Sequence, residues 1–99
     1  MVQIVWEFSV PRELISEFER QYSSHGSWAA LFARSRHFRG THLLADSERP
    51  GRYLTVDSWD DLASFQSFRA EHSTAYEALD RSCEPLTNSE HRLGIFVVS

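Results

Sequence analysis

His72 stands four residues after Phe68 and four before Tyr76, on the apolar side of a helical stretch. An imidazole at that spacing can line an oily pocket and accept a proton near neutral pH. Tyr76, one turn on, and Tyr22 offer hydroxyls to a substrate oxygen. The same spacing also suits a helix-face histidine whose ring packs and whose nitrogens find backbone or solvent. Trp6, Phe8, Phe65 and Phe68 are placed either to wall a cavity for a flat ligand or to build plain core. Trp59, at a strand-to-helix corner, plugs the end of the core or closes a pocket. Arg52, Asp57, Glu7 and His42 fall on strands as polar pocket walls or subunit contacts, and a slip of one residue exchanges those roles.

Other chemistries lack their residues. Metal ligands on a strand sit two apart, and on a helix three or four apart. His37 and His42 are five apart on one strand and point to opposite faces, while His25, His72 and His91 stand alone. No spacing announces a zinc or iron site. One cysteine, Cys83, excludes an intrachain disulfide and a cysteine metal cage. There is no glycine-rich phosphate loop or nucleophile elbow, and Ser23, Ser24 and Ser27 around His25 are loop composition rather than a triad. The ten cationic residues, all arginine, are scattered in a chain of net charge −4, so no basic stripe exists to hold nucleic acid. No apolar run approaches the roughly 20 residues that span a membrane, and the N-terminus lacks a secretion signal. A cytoplasmic protein without membrane contact is expected.

The elements that must position these residues follow from periodicity. Val2, Ile4, Trp6, Phe8 and Val10 alternate as one strand face. After Pro11, Leu14, Ile15, Phe18 and Tyr22 make a helical stripe. His25-Gly26 reads as a stop with glycine in a left-handed cap, and Ser27 as the cap of a short helix carrying Trp28, Leu31 and Phe32. A strand from His37 to Asp46, with a bulge signal at Gly40, forms a hairpin through Pro50-Gly51 with a strand from Arg52 to Trp59. Asp60 caps a second helical region in which Leu62, Phe65, Phe68, His72, Tyr76, Leu79 and Cys83 recur for about six turns, with a kink at Ser73-Thr74. Pro85 ends it, and His91 to Val98 is a fourth strand.

The order β-α-α-β-β-α-α-β describes one ferredoxin-like α+β domain over residues 1–99, with helices on one face of an antiparallel sheet. Of its 99 residues, 41% are hydrophobic and 13% aromatic. A domain this small buries only about 60–65% of its unfolded surface. The bare sheet face and the surplus of large side chains both predict a homodimer.

The chain resembles the antibiotic biosynthesis monooxygenase family of dimeric α+β barrels. The likeness runs through Gly26-Ser27-Trp28-Ala29-Ala30-Leu31-Phe32, Phe38-Arg39-Gly40-Thr41-His42-Leu43-Leu44 and Arg52-Tyr53-Leu54-Thr55-Val56-Asp57-Ser58-Trp59. It continues in Phe65, Phe68, His72, Tyr76 and Leu79, and in Cys83-Glu84-Pro85-Leu86-Thr87. The resemblance implies oxygenation of a quinol-like or polycyclic phenol by molecular oxygen, with no cofactor and no metal. A deprotonated phenol is electron-rich enough to reduce oxygen itself, so the protein need only bind, desolvate and move a proton. His72 is then expected as the base and Tyr76 as the orienting hydroxyl, with Trp6, Phe8, Trp59, Phe68 and Arg52 binding the substrate. A haem-degrading branch is similar in fold but carries an asparagine, a tryptophan and a histidine where this chain has Glu7 or Phe8, Phe68 and Ala78. Haem degradation is not expected. The rival expectations are a protein that holds a small aromatic molecule unchanged, and an isomerase or lyase using the pocket for proton transfer alone.

Overall fold

A computed structural model describes residues 1–99. Strand β1 spans Val2–Ser9 and, after Pro11 and a single 3₁₀ turn, leads into helix α1, Ile15–Tyr22, and helix α2, Ser27–Phe32. Strands β2, Phe38–Ala45, and β3, Arg52–Trp59, follow as a hairpin. Helices α3, Leu62–Glu71, and α4, Ser73–Cys83, then lead to strand β4, Ser89–Val97. The four strands form one antiparallel sheet in the order β2-β3-β1-β4.

Register decides which residues meet. Ile4 lies opposite Asp57, Trp6 opposite Thr55 and Phe8 opposite Tyr53, while Thr41 reaches Asp57 from the other side. These side chains share the helix-covered face, where they join Phe18, Tyr22, Trp28, Leu31, Phe32 and Phe68 around a single core. Phe18 and Trp59 are fully buried. Phe18 stacks on Tyr22 at 4.3 Å and tilts against Phe8 at 5.3 Å, so large rings fill the space between helices and sheet.

The opposite face carries no helix. Val5 pairs with Val56, Leu44 with Leu54, and Phe96 with Gln3 across this surface. Leu44 is 47% and Phe96 52% exposed, so an apolar patch faces outward from a sheet that is otherwise well covered.

Several local expectations are corrected. Gly26 is extended, at φ −84° and ψ −173°, rather than left-handed. Glycine is needed there because a Cβ would collide with the backbone carbonyls of Gln21 and Arg20. Gly26 is also the residue that precedes α2, while Ser27 is already helical and gives its hydroxyl to Gln21. Asp61, not Asp60, caps α3, accepting from the Ser64 amide at 2.7 Å. Asp60 instead takes His37 Nδ1 at 2.9 Å and Arg39 Nε at 2.5 Å. The long stripe breaks into α3 and α4 at His72, whose φ of −112° and ψ of 29° leave the helical region. The break falls one residue before Ser73-Thr74. Gly40 does mark a bulge: its φ is +115°, and the β2–β3 register shifts between Phe38 and Gly40.

Candidate functional site

A cavity of about 130 Å³, open to solvent on one side, lies between the sheet and the helices. Its floor is polar and comes from the sheet: Thr41 of β2, and Thr55 and Asp57 of β3. Period two places Tyr53, Thr55, Asp57 and Trp59 on the covered face, so the two polar members of that row open into whatever space the helices leave. Aromatic walls rise from β1 as Trp6 and Phe8, and from the helices as Tyr22, Trp28, Phe32 and Tyr76. Trp28 meets Tyr76 edge-on at 5.1 Å and Tyr22 at 6.2 Å, closing the walls into a continuous aromatic surround. Arg69, Asp80 and Glu90 complete the lining.

Asp57 dominates the electrostatics of the floor. Burial disfavours its charged form and pushes its pKa up from 3.8 to about 6, against the opposing effect of the Thr41 hydroxyl. Thr41 Oγ1 donates to Asp57 Oδ1 at 2.7 Å and is itself buried. A carboxylate in this state is ionised at neutral pH yet basic enough to take a proton from a bound acid. Burial also raises the Tyr76 hydroxyl; Arg69 works against that rise, and Asp80, Asp57 and Glu90 add to it. Tyr76 therefore remains a neutral hydrogen-bond donor at working pH. Arg69 holds its guanidinium 4.6 Å from the centre of the Tyr76 ring. Tyr22 is raised far above its ordinary value, chiefly by burial, and is likewise neutral.

Of the residues singled out in the sequence, Tyr22, Tyr76, Trp6, Phe8 and Asp57 line the cavity. His72 does not. Its ring packs on Phe68 at 4.7 Å, at the helix break, beside a separate polar cleft that includes Arg34, His37 and Glu71. Phe68 and Trp59 are core residues 2% and 0% exposed that do not line the cavity, and each packs at 5.6 Å against Phe32, which does. Arg52 belongs to the uncovered face, where it pairs with Glu7 and reaches Asp46 at 3.1 Å. Asp57 was visible in the sequence only as a strand carboxylate of undecided face. Thr41, Thr55, Trp28, Phe32, Arg69, Asp80 and Glu90 were not singled out for the site, because their convergence depends on strand register and helix docking.

No group of three or more histidine, cysteine, aspartate or glutamate residues is placed to share a metal ion. No helix is long and apolar enough to cross a membrane.

The sequence model of the family described as antibiotic biosynthesis monooxygenase matches residues 1–79. No curated protein matches the chain. Among solved structures, SnoaB, a cofactor-independent oxygenase from Streptomyces nogalater, is 25% identical, with a TM-score of 0.73 over 99% of this chain and 92% of that one. A variant of MhuD with two manganese protoporphyrin IX molecules per active site is 26% identical, with a TM-score of 0.75 over 99% and 94% of the two chains. A candidate antibiotic biosynthesis monooxygenase from Bordetella bronchiseptica has a TM-score of 0.78 at 20% identity over 99% and 96%, a likeness of fold alone. The sheet order, the helix placement and these superpositions agree on the ferredoxin-like α+β plan of the dimeric α+β barrels.

Proposed function

Because the chain belongs to the antibiotic biosynthesis monooxygenase family, we propose that it is a cofactor-independent monooxygenase that oxidises a phenolic, quinol-like aromatic molecule with molecular oxygen. The observation that carries this reading is a half-buried carboxylate of raised pKa, Asp57, on the floor of an aromatic-walled cavity that also holds the Tyr76 hydroxyl. SnoaB, similar over nearly the whole chain, supports it as a cofactor-independent oxygenase.

In this mechanism Asp57 takes the phenolic proton and Tyr76 donates to the oxygen left behind. Desolvation raises the energy of the resulting phenolate, which transfers an electron to oxygen; the two radicals then combine at a ring carbon. Asp57 returns its proton to the peroxide so formed, and the hydroperoxide loses water, taking the hydrogen of that ring carbon, to leave a carbonyl. One oxygen atom enters the product and the other leaves as water, so the substrate supplies all the electrons. Thr41 keeps Asp57 in one orientation throughout.

The cavity volume bears on substrate shape. An apolar cavity of about 150 Å³ accommodates benzene, so about 130 Å³ admits one ring. A polycyclic substrate would insert its phenolic ring and leave the remainder in the open mouth. We further propose a homodimer joined through the apolar patch of Val5, Leu44, Leu54, Val56 and Phe96, and a cytoplasmic place of action.

Oxygen consumption with quinols, anthrones and naphthols, under chelation and without flavin, tests the reading. Uptake above the uncatalysed rate and its loss in Asp57→Asn are expected. Ligand binding without uptake would leave a carrier. Proton exchange into the ligand under anaerobic conditions would indicate an isomerase acting through the same carboxylate.

A further inference from the structure

Two buried donors at one end of the cavity have nothing to bond. Tyr22 and Trp28 both line it, and they are only 7% and 8% exposed. The indole Nε1–H of Trp28 is shut off from solvent and has no hydrogen-bond partner. The Tyr22 hydroxyl is likewise unbonded, but solvent reaches it through the cavity. Buried polar groups are ordinarily paired, so two adjacent exceptions call for a partner that the chain alone does not supply. Tyr53 shows the ordinary case on the same sheet face, giving its hydroxyl to Glu19 at 2.6 Å.

Packing fixes both groups in place. The Tyr22 ring is held by Phe18 at 4.3 Å, Phe8 at 4.9 Å and Trp28 at 6.2 Å, so its hydroxyl keeps one direction. Trp28 is held in turn by Tyr76 at 5.1 Å and Phe32 at 5.7 Å. The indole N–H and the Cys83 thiol flank the Tyr22 oxygen without a hydrogen bond between them. Indole is a donor only and a thiol is a weak acceptor, so neither satisfies the Tyr22 proton. Asp57 works from the other end. Tyr22 packs on Phe8, which pairs with Tyr53, whereas Asp57 pairs with Ile4. Those pairs lie four residues apart on β3, about 13 Å of strand. The charge of Asp57 acts on the Tyr76 hydroxyl, while that of Glu90, opposite Phe8, acts on Tyr22.

We propose that Tyr22 is a specificity-determining donor that binds a second oxygen on the substrate ring, across from the hydroxyl that Asp57 deprotonates. The substrate class is then a phenol with an acceptor on its far side, a 1,4-quinol or a 4-acyl phenol, in preference to an alkyl phenol. When Tyr22 donates to that oxygen, its own lone pairs are left for the Trp28 N–H. One ligand atom thereby completes two buried donors in a chain from Trp28 through Tyr22 to the substrate, and each bond polarises the next. Trp28 acts through Tyr22 and is a positioning residue. This deepens the oxygenase reading and rests on it for the cavity being the substrate site.

The test compares hydroquinone with 4-methylphenol, near-isosteres that differ by a second oxygen. Their affinities for the intact protein are measured by calorimetry without oxygen, so that no turnover consumes the ligand. The ratio of hydroquinone to 4-methylphenol affinity should fall about fivefold in Tyr22→Phe, the worth of one net hydrogen bond. Transfer differences between the two ligands are common to both proteins and cancel in that comparison. The variant keeps the stacked ring and loses only an unpaired hydroxyl, so its melting curve should be no lower than the parent's. Tyr76→Phe should weaken both ligands together and leave the ratio alone. The Trp28 indole N–H resonance, assigned by its loss in Trp28→Phe, should move downfield with hydroquinone in the parent and stay still in Tyr22→Phe. A ratio unchanged in Tyr22→Phe, or one that falls in Tyr76→Phe instead, overturns the assignment and leaves the cavity reading intact. An indole resonance that answers both ligands alike overturns the chain through Trp28. Failure of both ligands to bind the parent overturns the cavity reading as well.

Discussion

Replacing Asp57 with asparagine should make the protein more stable and less active. Burial lifts its pKa from 3.8 to about 6, which corresponds to about 3 kcal/mol of cost for keeping the charged form in the folded state. Water reaching the carboxylate through the open mouth reduces that figure, and about 2 kcal/mol is a realistic expectation. Asparagine removes the charge at nearly constant volume, and its Oδ1 still accepts from Thr41. The sign follows from proton linkage. Between pH 3.8 and about 6 the folded chain retains a proton that the unfolded chain has released, so stability falls as pH rises through that window. Above it the full cost applies. The variant should therefore exceed the parent by about 2 kcal/mol at pH 8, or about 10 °C in Tm for a domain of this size. The difference should shrink below about 1 kcal/mol at pH 4. Urea and thermal unfolding at both pH values measure it. Turnover of the same variant should fall by about 10²–10⁴, the contribution of a positioned base. A variant less stable than the parent at pH 8, or a difference independent of pH, would falsify the desolvation argument; retained turnover would remove Asp57 as the base.

Four further outcomes are expected. Thr41→Val removes the bond that favours the charged carboxylate, so the acid limb of the pH–rate profile should move upward from about 6; an unmoved limb would detach that limb from Asp57. Tyr76→Phe keeps the ring under Arg69 but loses the donor, and should lower kcat about tenfold or more with little change in melting temperature. His72→Ala should leave turnover within a few-fold of the parent, because the imidazole packs on Phe68 outside the cavity; abolished turnover would return the imidazole to the mechanism. Phe96→Glu, on the open sheet face, should halve the mass seen by sedimentation without unfolding the chain, and a parent that already sediments as a monomer would refute the dimer.

Periodicity was sufficient for the fold because each element carries its own pattern. Alternation in Val2–Ser9 and Arg52–Trp59, the glycine bulge at Gly40 and the turn at Pro50-Gly51 are local signals, and each element appears close to where they put it. The site is different in kind. Trp59 and Phe68 are aromatic residues of the same kind as the cavity walls, yet both pack into the core against Phe32 and do not line the cavity. Whether an aromatic residue lines a space or fills one depends on the packing of a third residue from another element. Arg52 and Asp57 sit five apart on one strand, so period two alone puts them on opposite faces. Which of the two faces the helices cover was decided by the neighbouring Tyr53 and Thr55, both buried.

His72 and Asp57 show the same lesson from opposite directions. A histidine on an apolar stripe draws attention because its intrinsic pKa is already near neutrality. Its position on the helix, however, coincides with the break between α3 and α4, where the ring turns toward Phe68. An aspartate in a strand looks ordinary because its intrinsic pKa is low, and only the fold can make it a base. The fold raises the pKa of Asp57 here by removing water from one side and leaving a single hydroxyl, Thr41, to stabilise the charge. That single bond is weak compensation for a buried carboxylate, which would ordinarily be paired with a cation. Arg69, the one cation lining the cavity, is instead spent on Tyr76. In the proposed mechanism a substrate proton is what would relieve that charge, and the cost of burying the charged carboxylate is what would favour its uptake.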